Sequence, residues 1–306
     1  IRARRPKPGL RPQHCTAVSA AARIGGARVD GNRVGSTSLR FEPSGIYPGE
    51  HHFDIGTAGS TSLVLQTLLP ALMLADSPSR IQIRGGTHNP LAPTYDFLER
   101  AFLPLVSRMG PRITARLTRP GFFPAGGGEV VFEIEPAPRL TPLTLLERGA
   151  PTGQRACALV AKLPRHVAER ELDVIAERLS FPRSSLELVQ RDDVASPGNA
   201  LEVSLGFENL TEHVTELGRR GLPAERVADA AANAALGYLD SHAVVGAHLA
   251  DQLLVPFALA GAGEFRTLTP TLHTTTNAEV IRAISGVEFS FESEADGSVR
   301  VRTLRS

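Results

Sequence analysis

Apolar residues recur with helical spacing along the first half of the chain, and shorter segments of alternating apolar and polar residues lie between them. The helical spacing predicts helices over residues 13–24, 60–74 and 94–109. The alternation predicts strands over residues 38–41, 51–55, 80–84, 112–117 and 129–134. The recurring order of strand, helix, strand, helix, strand and strand indicates an α/β (α+β) fold in which helices pack on sheets.

The pattern changes after residues 147–153, whose loose composition is typical of a domain boundary. The next segments predict strand, helix, two or three strands and helix over residues 155–163, 167–179, 184–190, 200–207, 213–217 and 223–238. This unit of about 90 residues has the size of a small domain. We therefore predict a small inserted α/β domain at 147–240 and a large domain formed by 1–146 and 241–306. Residues 253–302 only faintly echo the unit of the first half.

Composition narrows the class of protein. The chain has 306 residues, of which 42% are hydrophobic and 21% are charged, as in globular proteins. Its most apolar stretch, residues 253–263, is too short to span a bilayer and contains Pro256, so we expect no membrane partner. Cys15 and Cys157 lie too far apart to form a metal-type or redox-type pair. With no signal peptide at the start, this predicts a cytoplasmic protein.

The charge is unevenly distributed, although the net charge is only +1. Residues 1–40 contain nine Lys or Arg and one acid, Asp30, which gives a local net charge of +8. Such a segment can neutralise the phosphates of a nucleotide or an RNA end. A solvated basic surface without a ligand explains the same pattern equally well.

His273 is the main candidate for chemistry. Thr276 and Glu279 have the spacing of a capping box, which predicts that a helix begins just after His273. The positive end of the helix dipole disfavours protonation of a histidine at that position. A neutral imidazole has a free ring nitrogen that can attack an electrophile. An ordinary loop histidine beside a helix start is the simpler interpretation of this spacing.

Three glycine-containing segments are weaker candidates. Residues 56–60 lie between a predicted strand and a predicted helix, where backbone amides can hold an anion, although a tight turn explains them equally well. Residues 85–90 form a similar turn, in which His88 is a candidate for contacting RNA. Residues 126–128 predict a hairpin turn.

Several ordered motifs resemble one known family. Two of them are Pro270-Thr-Leu-His273-x-x-x-Asn277 and His248-Leu-Ala-Asp-Gln252. The others cover residues 5–14, 56–60, 65–72, 85–90, 123–128, 164–170 and 258–265. Together they resemble the RNA 3′-terminal phosphate cyclases, in the order of that family and over nearly the whole chain.

The resemblance implies an architecture. It predicts a large domain of repeated units, each with two helices and a four-stranded sheet, and a small inserted domain. The family has three such units, and the first would be incomplete here. The sequence begins with Ile1 rather than Met and contains neither the strand nor the Gly-Glu-Gly-Gly-Gly-Gln segment that precede this point in the family. We therefore expect that the natural start is missing, and with it an acid and an arginine of the family's active site.

The resemblance also implies a function. The family converts RNA 3′-phosphate ends to 2′,3′-cyclic phosphates with ATP and a divalent cation, Mg²⁺ or Mn²⁺, through a covalent histidine–AMP intermediate. His273 matches the nucleophile, and RNA ends are the expected partner. The residues that match ATP-binding positions are Arg2, Arg5, Gln13, Gln66, His248, Leu249, Ala250, Asp251 and Gln252. Asp251 is compatible with orienting His273, binding the ribose or binding a metal; no set of metal ligands is predicted.

Two other functions remain open. A noncatalytic RNA-binding protein of the same fold, active in ribosome biogenesis, would lack the catalytic histidine, whereas His273 is present. An unrelated transferase on a repeated α/β scaffold, such as an enolpyruvate transferase, would form no adenylate. Labelling with ATP distinguishes the cyclase from both.

Overall fold

The computed structural model describes residues 1–304. It contains helices, and strands that form several small sheets. The helices are α1 Pro12–Gly25, α2 Thr61–Leu72, α3 Tyr95–Phe97, α4 Leu103–Arg108, α5 His166–Leu179, α6 Ala224–Leu239, α7 Ala247–Ala260 and α8 Leu272–Ser285. The strands are β1 Arg28–Asp30, β2 Arg40–Glu42, β3 Glu50–Asp54, β4 Ser79–Gly85, β5 Arg112–Arg119, β6 Gly128–Glu135, β7 Thr144–Leu145, β8 Pro151–Ala161, β9 Leu186–Arg191, β10 Gly198–Phe207, β11 Thr211–Leu217, β12 Glu264–Thr267, β13 Glu288–Ser293 and β14 Val299–Leu304. The prediction of a mixed α/β fold is confirmed.

Local signals account for several element boundaries. Helix α1 ends at Gly26, which adopts the left-handed conformation that glycine tolerates best. Helix α2 begins after Ser60, whose side chain accepts a hydrogen bond from the backbone N–H of Leu63 at 3.3 Å. The helix predicted over residues 94–109 differs in one respect. A π-helical segment, Leu98–Phe102, separates α3 from α4.

The contacts divide the chain into two compact units. The first comprises Ile1–Tyr95, Pro111–Pro138 and Asp192–Pro197. The second comprises Asp96–Gly110, Arg139–Arg191 and Gly198–Ser306. The domain boundaries inferred from the sequence, at 147 and 240, stay a prediction.

The first unit contains a four-stranded sheet in the order β3-β4-β6-β5. Strands β3 and β4 are parallel, and the other two pairs are antiparallel. Helix α2 packs on β4 and β6 because its apolar residues meet those of the strands. Leu65, Leu68, Ile81, Ile83 and Phe132 are almost completely buried there. An antiparallel pair, β1 and β2, follows α1.

In the second unit, one sheet has the strand order β11-β10-β8-β9 and carries α5 and α6. Alternate residues of β10, namely Leu201, Val203 and Leu205, belong to the core that these helices cover. The intervening residues of β10 face the other side of the sheet, because side chains alternate along a strand. Small residues of α6, such as Ala228 and Ala231, allow the helix to lie close to the sheet.

A second sheet of the same unit has the order β13-β14-β12-β7, and α7 and α8 pack on its strands. Phe257 of α7 and Phe265 of β12 are buried and meet edge to face at 5.6 Å between ring centroids. Although α7 is apolar, no helix within residues 1–304 is long and apolar enough to cross a membrane.

This sheet repeats the connectivity of the sheet in the first unit. When the elements from β8 to α6, which intervene between β7 and α7, are left aside, both follow the order strand, helix, strand, helix, strand, strand. Both place the four strands in the spatial order first, second, fourth, third. In both, the first two strands are parallel and the remaining pairs are antiparallel. Residues 253–302 are therefore part of a true structural repeat, of which the sequence pattern gave only a faint indication.

Candidate functional site

Helix α8 begins earlier than the sequence predicts. Its N-cap is Thr271, whose side-chain oxygen accepts a hydrogen bond from the backbone N–H of Thr274 at 3.2 Å. Thr276, which the sequence analysis took as the N-cap, lies inside the helix. The predicted capping box of Thr276 and Glu279 is therefore wrong. A threonine caps the helix in either case, but tertiary packing selects the one five residues earlier.

His273 is consequently the second residue of α8 rather than a residue ahead of it. It lies in the first turn, where the unpaired backbone N–H groups give the helix its positive end. The side chain is exposed, and within residues 1–304 its ring makes no hydrogen bond. A ring held on a fixed backbone with both nitrogens free is accessible to a ligand.

Asp251 of α7 is tied to α8 through Asn277, one turn after His273. The side-chain amide of Asn277 donates to the backbone carbonyl of Asp251 at 3.0 Å and to its Oδ1 at 3.1 Å. The Oδ2 of Asp251 accepts from the side chain of Gln252 at 3.1 Å. The carboxylate does not bond to His273. It fixes the spacing of the two helices, so any influence on His273 passes through α8.

The other residues of the α7 motif differ in exposure. His248 is exposed, whereas Leu249 and Ala250 are buried in the core below the helix. Burial raises the pKa of Glu216, and the nearby His248 opposes that rise. A contact of Leu249 or Ala250 with ATP stays a prediction, and their buried side chains are poorly suited to it.

The start of α7 rests on a buried carboxylate that the sequence analysis missed. The N-cap residue Gly246 donates its backbone N–H to Oε2 of Glu212 at 3.1 Å. A Cβ at Gly246 would lie 2.0 Å from Oε1 of Glu212, so any other residue there would displace this carboxylate. Burial raises the pKa of Glu212 to about 7, against the opposing effects of the Gly246 hydrogen bond and of Arg148.

Arg148 holds the segment that leads into α7. Its guanidinium donates to the carbonyls of Ala243 and Tyr238, both at 2.6 Å, and of Ser241 at 2.8 Å. It also stacks 3.9 Å from the centroid of the Tyr238 ring. These groups keep the end of α6 and the start of α7 in a fixed arrangement.

The remaining candidate residues belong to the first unit and are described within it. Arg2 is half-buried, and Arg5 is exposed. Gln13 lies in the first turn of α1, where a Cβ at Gly59 would come within 2.8 Å of its own Cβ. Gln66 is half-buried in the middle of α2. Gln13 therefore packs against the turn at 56–60, and the role of these residues in ATP binding stays a prediction.

The three glycine segments converge within the first unit. A Cβ at Gly86 would lie 2.5 Å from the carbonyl oxygen of Ala58, and one at Gly126 would lie 2.7 Å from Cα of Ala58. The glycines are needed for this close backbone packing. His88 is buried there at 1% exposure, and its ring stacks on Phe122 at 5.1 Å. The prediction that His88 contacts RNA is therefore wrong, because its side chain is not accessible.

The sequence analysis missed three residues that organise the histidine-bearing helices. Asn277 was part of a quoted motif, and its position one turn after His273 was a usable signal. Glu212 and Arg148 carried no such signal. Glu212 belongs to a strand whose sequence gives no sign of a buried acid, and Arg148 belongs to a loop.

Comparison with known proteins agrees with the motifs. The family model described as RNA 3′-terminal phosphate cyclase matches residues 1–291. A Pseudomonas fluorescens protein of that name is 55% identical over 283 residues, which cover 92% of this chain and 82% of that protein. Proteins of the same name from Koribacter versatilis and Ralstonia nicotianae are 48% and 49% identical. Each alignment covers 98% of this chain, and 84% and 86% of the relative.

The family model matches almost the whole chain, and the relatives share about half of their aligned residues with it, so the family can be assigned. The chain belongs to the RNA 3′-terminal phosphate cyclase family.

Proposed function

We propose that this protein converts RNA 3′-phosphate ends to 2′,3′-cyclic phosphates with ATP, and that His273 is the nucleophile. Family membership supports the reaction. The observation that carries the assignment to His273 is its position. It is an exposed histidine in the first turn of α8, with no hydrogen bond from the described residues to occupy its ring.

The reaction has three steps. In the first, a ring nitrogen of His273 attacks the α-phosphorus of ATP, the bond to the β-phosphate breaks and pyrophosphate leaves. In the second, an oxygen of the RNA 3′-phosphate attacks the same phosphorus, and the bond to the histidine breaks. In the third, the neighbouring 2′-oxygen attacks the 3′-phosphorus, AMP leaves, the hydroxyl proton passes to solvent and the cyclic phosphate forms.

The elements around His273 supply orientation. The amide of Asn277 holds α8 against Asp251 on α7, which keeps the backbone that carries His273 in place. The unpaired N–H groups of the first turn favour negative charge nearby, as on the phosphates of ATP. The guanidinium groups of Arg2 and Arg5, in the first unit, suit phosphates, and the family resemblance is what supports our proposal that they contact ATP.

A divalent cation, Mg²⁺ or Mn²⁺, would neutralise the charge of the triphosphate as pyrophosphate departs. Both carboxylate oxygens of Asp251 already accept hydrogen bonds from amides. We therefore propose the phosphates of ATP, rather than the carboxylate of Asp251, as the ligands of the cation.

The test is incubation with ATP labelled at the α-phosphate and with Mg²⁺ or Mn²⁺. The parent should retain label in an acid-labile, alkali-stable adduct, and His273→Ala should retain none. His166→Ala is the matched control, because His166 is also an exposed histidine in the first turn of a helix. Unlabelled RNA with a 3′-phosphate should discharge the adduct, whereas RNA with a 3′-hydroxyl should not.

Equal labelling of the parent and His273→Ala would refute the nucleophile. The absence of an adduct on a folded protein that also carries the family's N-terminal segment would refute the reaction and favour a noncatalytic RNA-binding protein. Either result is read directly from the labelled protein, without an assay of the RNA product.

A further inference from the structure

The segment 2–11, which we call the basic loop, concentrates positive charge within the first unit. It carries Arg2, Arg4, Arg5, Lys7 and Arg11 within ten residues. No Asp or Glu occurs before residue 30 of the sequence. Local acids therefore cannot neutralise the loop.

Backbone contacts hold the basic loop in one conformation. The guanidinium of Arg2 donates to the carbonyls of Lys7 and Gly9, both at 3.0 Å, which closes the loop on itself. The backbone N–H of Leu10 donates to Ser36, and Leu10 accepts from Gly35 at 2.8 Å. Gly9 has a φ of +78°, and a Cβ there would lie 2.3 Å from the carbonyl oxygen of Gly35. The backbone that carries these charges is therefore held in place by hydrogen bonds.

The cations of the loop have no acidic partners. Arg4, Arg5, Lys7 and Arg11 are exposed, and none forms an ion pair within residues 1–304. Arginines elsewhere are commonly paired. Arg170 and Arg178 on α5, for example, contact Glu225 and Asp229 of α6 at 2.6 Å. A run of fixed cations without counter-charge is typical of a surface that binds a polyanion.

The pKa of His14, at the start of α1, depends on the charge of this surface. Its Nδ1 accepts a hydrogen bond from the backbone N–H of Arg11 at 2.9 Å, so the ring is fixed beside the loop. Burial lowers the pKa of His14, and the positive charges of Arg2 and Arg11 lower it further. An anion bound on the loop would offset those charges and move this pKa upward.

We propose that Arg4, Lys7 and Arg11 bind the phosphodiester backbone of the RNA strand upstream of its 3′-phosphate. This rests on the proposed function, in which Arg2 and Arg5 serve ATP. The set of cations extends over more positions than one terminal phosphate requires, and a connected strand supplies a phosphate at every nucleotide. Contacts of this kind position the RNA without reading its sequence.

The experiment measures binding of a fluorescent single-stranded RNA of about 12 nucleotides. A 3′-hydroxyl end makes this RNA unreactive, so binding is observed without catalysis. We compare the parent with the double variant Arg4→Gln/Lys7→Gln at several salt concentrations. The matched control is Arg219→Gln/Arg220→Gln, which removes two exposed cations from the second unit.

The double variant in the basic loop should weaken binding by about fivefold for each lost contact at about 0.1 M salt. The slope of log affinity against log salt should fall by about 0.7 for each contact. RNA should also raise the pKa of His14 in the parent, measured by NMR, and should do so less in the double variant. The control variant should keep the affinity and salt slope of the parent.

Two results would overturn the proposal. One is an unchanged affinity and salt slope in the double variant. The other is an equal loss in the control variant, which would reflect net charge alone. Adenylylation of His273 is assayed without RNA, so a failure there refutes the proposed function and leaves the binding result to be judged separately.

Discussion

The substitution Glu212→Gln should change the pH dependence of stability. Glu212 is buried at 7% exposure beneath the N-cap of α7, and its Oε2 accepts the backbone N–H of Gly246. Glutamine has nearly the same shape and keeps an oxygen that can accept this hydrogen bond, but it cannot ionise. The variant therefore removes the cost of a buried charge with little change in packing.

The magnitude follows from the pKa of Glu212, which burial raises from 4.5 to about 7. Since the folded pKa is the higher one, this carboxyl group stabilises the fold below about pH 4.5, and the contribution is lost as the pH rises through about 7. The full difference corresponds to about 3 kcal/mol, at about 1.36 kcal/mol for each pKa unit. Between about pH 5 and pH 8, the parent should lose about 2 to 3 kcal/mol relative to Glu212→Gln.

Urea unfolding followed by circular dichroism measures this difference. The free energy of unfolding is determined for the parent and the variant at both pH values, so that the pH effects of all other groups cancel. Glu177→Gln is the control, because Glu177 is exposed on α5. The reasoning is refuted if Glu212→Gln gains no stability over the parent between the two pH values. A gain of the same size in the control would also refute it.

Three further predictions address the helix start, the basic loop and the thiols. Thr271→Ala should destabilise the protein by about 1 kcal/mol in urea unfolding, whereas Thr276→Ala should not, because only Thr271 caps α8; the reverse result would restore the capping box predicted from the sequence. Gly9→Ala should cost about 1–3 kcal/mol, because a Cβ there collides with backbone at a positive φ, and an unchanged melting temperature would contradict this. A thiol reagent at about pH 8 should modify half-buried Cys15 long before buried Cys157, whose pKa burial raises to about 12; equal rates in the folded protein would contradict the burial of Cys157.

The errors of the sequence analysis have a common physical origin. Several threonines precede the apolar stripe of α8, and each can cap a helix, so local spacing did not identify Thr271. The amide of Asn277 binds Asp251, which is distant in sequence, and this contact belongs to the packed helix. His88 was read as accessible because it lies in a glycine-rich turn, yet its side chain is buried and stacks on Phe122.

The sequence by itself determined the type and order of most elements and the family, because hydrophobic period, turn residues and motifs are local properties of the chain. Its motifs also made His273 the candidate nucleophile. The tertiary structure decided which residues hold the helix that carries His273 and which carboxylates are buried away from solvent. Glu212 and Asn277 acquire their roles only from partners more than 20 residues away. The repeat likewise is evident from the strand order of the two sheets and not from similar sequences. The reason is that a fold constrains the positions of its strands more strongly than the identity of the apolar side chains in its core.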